Sequence, residues 1–374
     1  EGVTLKNWLL RHGETSEALR VEIANWVCWL SNGSPPYAAY RALNTVRALA
    51  ADKRPGVRPL GCGETWMRLI ANCNHLQSKV GATNACGNTQ LCAGLQSGIE
   101  ANLHAVKAIW PQSAGWMDNQ VQDGDGDVLD GNGDDEDAED VAGASGTGLD
   151  STSTTSRYTP NTGFGAALFD TRNAFNELNR YLMLWNVAHL WNRVSRFAFN
   201  RYRHWGICLV RDRPGQLAIE LHSKEGITQG DCFAMSLYGV ALLPLATKMR
   251  DEFPTALQPW FADDSGSAGE AKPNAGCLDF LVKNGPKYGY FADPSKSYYI
   301  CKEEDEEAAR AEFEKLGLEI NYSWGERYLG GFIGSGASKE QWLGDMVAKW
   351  VAAVEALAAV AVKHPQTAYA GFTF

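Results

Sequence analysis

A chain of 374 residues, 45% hydrophobic and 21% charged, has the make-up of a soluble globular protein with a sizeable core, in one large domain or two. No stretch approaches the roughly 18 consecutive apolar residues of a membrane span, and no N-terminal signal pattern is present, so an intracellular, non-secreted protein with no membrane partner is expected. The net charge of −10 comes from one region: twelve acids and no Lys or Arg lie between Pro111 and Ser156, and without them 32 acids face 34 bases, a net of about +2.

The first residue is Glu1 and the last ones, Tyr369 to Phe374, are apolar with no helix stop, as expected of a piece of a longer polypeptide. Nine cysteines, an odd number without any Cys-x-x-Cys pair, exclude a disulfide framework and a zinc knuckle. Cys86 and Cys92, with His75 and His104 nearby, match no standard set of metal ligands. Reduced thiols are expected.

Residues 1–50 have apolar side chains near helical spacing, with stops at Asn32-Gly33 and Pro35-Pro36, and are expected to be packing. Lys53, Arg54 and Arg58 follow in a Pro/Gly turn that fixes the backbone and could aim cations at phosphate; an ordinary basic loop is the competing reading. A helix is expected from Glu64 to Cys73. Residues 111–160 are a low-complexity run of Asp, Gly, Ser and Thr, too polar to offset ordering entropy, and are expected to be disordered. Asp123, Asp125 and Asp127 alternate as in a calcium loop, but Val128 stands where that loop needs glycine.

Gly163 to Phe169 reads as a small apolar strand ending on Asp170, and Phe175, Leu178, Leu182 and Trp185 then follow at helical spacing. A carboxylate at a strand's C-terminal end suits a site, with a helix N-cap as the alternative. Residues 200–225 read as a β-hairpin around Arg213-Pro214-Gly215. Gln229-Gly230 then leads into an apolar helix from about Phe233 to Met249.

The focus of the chain is Trp260-Phe261-Ala262-Asp263-Asp264, read as a hairpin whose turn carries two adjacent acids. Adjacent carboxylates on a rigid turn call for a cation, Mg²⁺ before others, unless the turn is simply exposed. Beyond it come a helix around Leu278 and Leu281, Pro294-Ser295-Lys296 before a strand from Tyr298 to Cys301, and a helix from Glu303 to Leu316. A glycine-pinched turn or strand pair at Tyr328–Gly334 and a helix from Gln341 to Val362 complete the series.

In this order the pieces resemble the reverse transcriptases of retrotransposons and group II introns. The resemblance rests on Arg54-Pro-Gly-Val-Arg58-Pro-Leu60, Phe169-Asp170-x-x-x-Ala174-Phe175, Gln229-Gly230, Phe261-Ala-Asp-Asp264, Pro294-Ser-Lys296 and Leu329-Gly330-Gly331. It implies an α+β right-hand polymerase: an N-terminal helical extension (1–50), fingers (51–110 and 201–225) around the acidic insertion (111–160), palm (161–200 and 226–335) and a truncated thumb (336–374).

By the same resemblance Asp170, Asp263 and, less directly, Asp264 would be catalytic and hold Mg²⁺, or Mn²⁺ in its place, with the Phe169 carbonyl. Lys53, Arg58, Phe175, Gln229, Gly230 and Lys296 would bind the nucleotide, Phe175 by colliding with a ribose 2′-hydroxyl. Leu329, Gly330 and Gly331 would grip the primer. RNA template, DNA primer, dNTPs and other domains of a retroelement polyprotein would be the partners, in the nucleus or cytoplasm. Two features depart from the pattern: Cys232 replaces a frequent proline, and Arg172 stands close to the expected metals. An RNA-dependent RNA polymerase and an inactive nucleic-acid-binding remnant are the alternatives.

Overall fold

The computed structural model describes residues 9–52, 57–109, 161–211 and 216–373. Lys53, Arg54, the acidic stretch 111–160 with its Asp123, Asp125 and Asp127, and the turn at Arg213-Pro214-Gly215 lie outside the described residues. Mixed helices and sheets make up the rest.

Helix α1 (Gly13–Asn32) stops where the sequence expects, because Gly33 and the Pro35-Pro36 pair cannot extend it. Helix α2 (Tyr37–Leu43) follows. The chain then turns to β-structure sooner than the expected boundary at residue 50. Strand β1 (Val46–Asp52) pairs antiparallel with β2 (Val57–Gly63), and on its other side runs parallel to β4 (Gly206–Val210), which pairs with β5 (Ile219–Ser223). One four-stranded sheet, in the order β2-β1-β4-β5, thereby joins two segments about 150 residues apart in sequence.

Helix α3 (Thr65–Cys86) runs well past the expected end at Cys73. Its second half reads as polar because Asn74, Ser78 and Thr83 stand there, but each bonds back to the carbonyl four residues earlier and so sits inside a helix at little cost. Helix α4 (Gly98–Ile109) ends the first part of the chain.

The second sheet has the order β6-β7-β3-β8-β9, with β3 (Gly165–Phe169) at its centre. Its partners are β7 (Asp264–Gly269) and β8 (Tyr298–Cys301), both antiparallel; β6 (Trp260–Phe261) and β9 (Asn321–Ser323) are the edges. Gly165, Ala166 and Ala167 face Gly269, Ala268 and Ser267 in register, and this small-residue seam lets helices lie close. Asn274, in the helix Ala271–Asn284, fills the seam, donating to the carbonyls of Gly165 and Gly269 and to the Tyr299 hydroxyl.

The helix expected after Asp170 over Phe175 to Trp185 is broken in two, α5 (Ala174–Glu177) and α6 (Arg180–Leu190), and α7 (Asn192–Tyr202) follows. Leu178 is extended, its carbonyl accepts from Gly226 N, and Asn179 caps α6 by accepting from Leu182 N at 3.0 Å. A good N-cap and two tertiary backbone bonds outweigh the helical spacing of Phe175 and Leu178.

Helix α8 (Ala234–Glu252) is the axis of the core, with eleven of its nineteen residues buried. It packs on α3, α6 and α9 (Ala271–Asn284), the last lying against β7 and β3. Helix α10 (Glu303–Lys315) ends on Gly317 at φ +68°, the left-handed stop its sequence announces. The hairpin β10 (Gly325–Tyr328) and β11 (Gly331–Gly334) closes a smaller apolar cluster with Val106, Ala268 and Ile300. Helices α11 (Gly336–Ala361) and α12 (Pro365–Thr373) follow, and α11 buries none of its residues.

Candidate active site

Strand pairing brings the acids together. Phe169 is opposite Ser265, and Phe261 is opposite Asp264, so Asp170 emerges from β3 beside the start of β7. The turn itself is Ala262-Asp263, and Asp264 is already the first residue of β7. Ala262 has φ +56°, a conformation that costs an L-residue roughly 1–2 kcal/mol. Gln90 holds it there: this side chain, 1% exposed, accepts from Ala262 N at 2.7 Å and donates to Ala262 O at 3.2 Å. Leu91 N adds a bond to Trp260 O, extending the edge of β6. Asp170 is fixed by its own backbone, its N–H donating to Ser297 Oγ at 3.0 Å and its carbonyl accepting from Asp293 N at 2.9 Å. Sequence reading missed Gln90 and Ser297, since neither stands in a recognisable pattern.

The carboxyl of Asp264 titrates at about 6, raised from 3.8. Desolvation at the cleft floor comes first and the negative charges of Asp263 and Asp170 next, while Arg327 and Arg58 oppose them. The donors at this floor are carboxylate oxygens, hard ligands that suit Mg²⁺ or Mn²⁺, and a cation there would relieve the repulsion that raises Asp264. Among the described residues no three His, Cys, Asp or Glu side chains enclose a metal by themselves. A cation held here needs oxygens from substrate or water as well.

The floor belongs to a cavity of about 580 Å³. Val57, Arg58, Pro59 and Leu60 of β2 line it together with Asp170, Asp263 and Asp264 and with Phe175, Gln229 and Gly230. Phe175 stacks on Tyr238 with ring centroids 4.6 Å apart, and its carbonyl accepts from Ile227 N. Gly230 has φ +102°, and a Cβ on it would stand 2.8 Å from Gly61 O, so only glycine lets this loop close on β2. The adjacent bond from Gly61 N to Gln229 O, 2.7 Å, ties β2 to the loop that enters α8.

Asp231 also lines the cavity, but it is bound up in structure. Its Oδ2 accepts from Arg201 Nε at 2.9 Å and from the Tyr202 hydroxyl at 2.6 Å, and its Oδ1 from Phe233 N at 3.0 Å. The side chains of Arg201 and Asp231 are 7% and 3% exposed. Burial opposes the charge on Asp231, yet Arg201, the Tyr202 hydroxyl and the Phe233 amide outweigh it and hold the carboxyl below its usual range.

Other expected site residues are more scattered. Lys296 is not among the residues lining this cavity; it pairs with Asp293 at 2.9 Å and lies near enough to feel Asp170. Arg172 is also outside the lining, its guanidinium 5.0 Å over the Phe291 ring. Leu329 and Gly330, at φ +48° and +83°, form the two-residue turn of the β10–β11 hairpin, and Gly331 packs against Leu103. Arg327 on β10, which no motif marks, is the residue of that hairpin whose charge reaches Asp264. Lys53 lies outside the described residues. All nine cysteines are free thiols, and burial pushes Cys86 and Cys92 up to about 12, so these two are packing and not ligands.

No family model and no curated protein matches the chain. Solved telomerase structures do. One from Candida tropicalis, truncated of its C-terminal domain, is 12% identical with a TM-score of 0.47, covering 85% of this chain and 59% of that one. One from Candida albicans, in complex with the TWJ fragment of telomeric RNA, is 8% identical with a TM-score of 0.47, covering 85% of this chain and 49% of that one. This chain spans about half the length of those it matches. Among the described residues no helix is long and apolar enough to cross a membrane.

Proposed function

We propose that the chain is an RNA-directed DNA polymerase of a retroelement, with the five-stranded sheet and α8 as palm, the four-stranded sheet as fingers and α11–α12 as the start of a thumb. One observation carries this reading: β3 and the β6–β7 hairpin bring Asp170, Asp263 and Asp264 to one cleft, where desolvation and then the charges of the other two raise Asp264, and Arg58 of β2 lines the same cavity. Such a cleft suits a reaction in which negative charge builds.

In that reaction the primer 3′-oxygen bonds to the α-phosphorus of a dNTP as the bond to pyrophosphate breaks. Asp170, Asp263 and the Phe169 carbonyl would hold Mg²⁺, with Asp264 contributing less directly, and the bound metal would stabilise the attacking and leaving oxygens. Arg58, with Lys53, would hold the outer phosphates by charge-assisted hydrogen bonds. Gln229 and Gly230 would pack under the nucleotide and template base. Phe175, fixed by Tyr238 on the cavity wall, would exclude a ribose 2′-hydroxyl. Lys296 would reach the triphosphate only after leaving Asp293, and Leu329 to Gly331 would touch the primer end.

The test is extension of a DNA primer on an RNA template with Mg²⁺, for this chain and for Asp263→Asn. Addition of dNTPs only, lost in the variant, is expected. Efficient rNTP addition would make the enzyme an RNA polymerase and remove the role given to Phe175. Duplex binding without extension by either protein would leave a binding remnant.

A further inference from the structure

We infer that a second cavity, at the β5 edge of the four-stranded sheet, binds single-stranded nucleic acid and takes the template strand beyond the cleft. It has a volume of about 410 Å³ and no carboxylate among the residues that line it. Tyr37, Tyr181 and Trp205 supply ring faces; Arg41, Arg203 and Lys224 supply charge. Glu220 pairs with two of the lining residues, Arg41 at 3.0 Å and His222 at 2.8 Å, which leaves Arg203 and Lys224, of those three cations, without a carboxylate partner among the described residues. Outside residues 111–156 the chain carries a net charge of only about +2, so such a set is a local concentration of positive charge.

Three further facts point to a ligand. Tyr181 is 81% exposed, and Trp205, 55% exposed, carries Lys224 Nζ 4.4 Å over its ring, so a ring and a cation already stand side by side at the cavity rim. The Arg203 Nε–H is buried without an acceptor among the described residues, a donor that a phosphate oxygen would satisfy. The frame is rigid: Arg180, itself buried, donates to the carbonyls of His204, Ser223, Glu225 and Gly226, fixing the end of α7 to the loop after β5. A cavity that alternates ring faces with cations fits a polymer of flat bases joined by anionic links, and its concavity favours a single strand over a duplex.

The loop from Lys224 on this rim to Gln229 in the catalytic cleft is five residues long, so the two sites are at most roughly 18 Å apart along it. A template leaving the cleft on that side reaches the cavity within a few nucleotides. The assignment to template rests on the polymerase reading; single-strand binding does not.

The experiment is fluorescence anisotropy on labelled primer–template duplexes with template 5′ overhangs of two or ten nucleotides, and on oligo(U), without divalent metal. The full chain, Trp205→Ala and Lys224→Ala are compared; the first keeps the Trp205 carbonyl that accepts from the Tyr37 hydroxyl at 2.7 Å, so the fold is retained. The long overhang is expected to bind about tenfold more tightly than the short one, and Trp205→Ala to lose about five- to fifty-fold on the long overhang and oligo(U) only. Lys224→Ala is expected to lower the salt slope by about 0.7. Unchanged melting temperatures check the fold. Variants that bind the long overhang and oligo(U) like the full chain would overturn the proposal, as would heparin competing with oligo(U) equally in all three proteins. Oligo(U) binding lost in Trp205→Ala, with no extension activity in any of the three proteins, would keep this site and sink the polymerase reading instead.

Discussion

Asp231 and Asp264 line the same cavity, and their surroundings act on them in opposite directions. Asp231 is buried against Arg201 and the Tyr202 hydroxyl and stays charged; Asp264 reaches solvent, meets two other carboxylates and titrates at about 6. The first is a strut between α7 and the loop entering α8. In the second, desolvation and two like charges outweigh the opposing charges of Arg327 and Arg58. A carboxylate's role is thus set by what neutralises it, and position in a cleft does not decide it.

The contrast is sharpest under substitution of the acids themselves. Asp170→Asn is expected to slow nucleotide addition on the order of a thousand-fold or more, about 4 kcal/mol in the barrier, while leaving the melting temperature unchanged or higher. Steady-state extension and a thermal melt on one preparation check both halves. Asp231→Ala should do the reverse: it leaves Arg201 charged and buried, at a cost of about 3–5 kcal/mol in stability measured by urea unfolding. A variant that unfolds like the parent would remove the strut reading.

Gln90→Ala tests whether the acidic turn is held from outside. It strands the N–H and carbonyl of Ala262, about 1–3 kcal/mol, and is expected to lower the extension rate on the order of tenfold with little change in dNTP KM. Gln90→Glu keeps the bond from Ala262 N and should fall between. Equal kinetics in all three would show that the hairpin holds its own shape.

The weakest effect is on pH. Asp231 has a folded pKa below its unfolded value, so its contribution is complete above that value and is lost as pH falls through the folded one. Asp264 has the opposite sign: its folded value, about 6, lies above 3.8, so the folded state binds the extra proton and stability declines as pH rises from about 4 through 6. In EDTA, Asp264→Asn is therefore expected to raise the melting temperature more at pH 7 than at pH 5, and Mg²⁺ to narrow that gap for the parent protein. A variant effect independent of pH would mean that repulsion does not govern Asp264.

Several pieces were legible from local signals: the apolar helix α8, the strand ending on Asp170, the Asp263-Asp264 hairpin, the Tyr328–Gly334 strand pair and the glycine stop after α10. Their determinants are side-chain period, turn residues and adjacent charges, all readable over a few positions. Contacts between distant segments settled the rest. The helix after Asp170 breaks at Leu178 because Gly226 and Tyr288 supply backbone partners from far along the chain, and the β1–β2 hairpin joins a four-stranded sheet because β4 lies beside β1. Helix α3 continues past Cys73 because tertiary bonds hold its polar half: Asn74 donates to Ser31 Oγ, Trp191 Nε1 to the Ser78 carbonyl and Thr83 Oγ1 to the Ala93 carbonyl. Lys296 carries a motif position but turns to Asp293, and Arg172, a departure from the pattern, lies over Phe291. Gln90, Ser297, Arg201 and Arg327 had no signal at all, since a hydrogen bond or a Coulomb field between residues far apart in the chain has no period and no spacing; it exists only once the chain has brought its partners within reach.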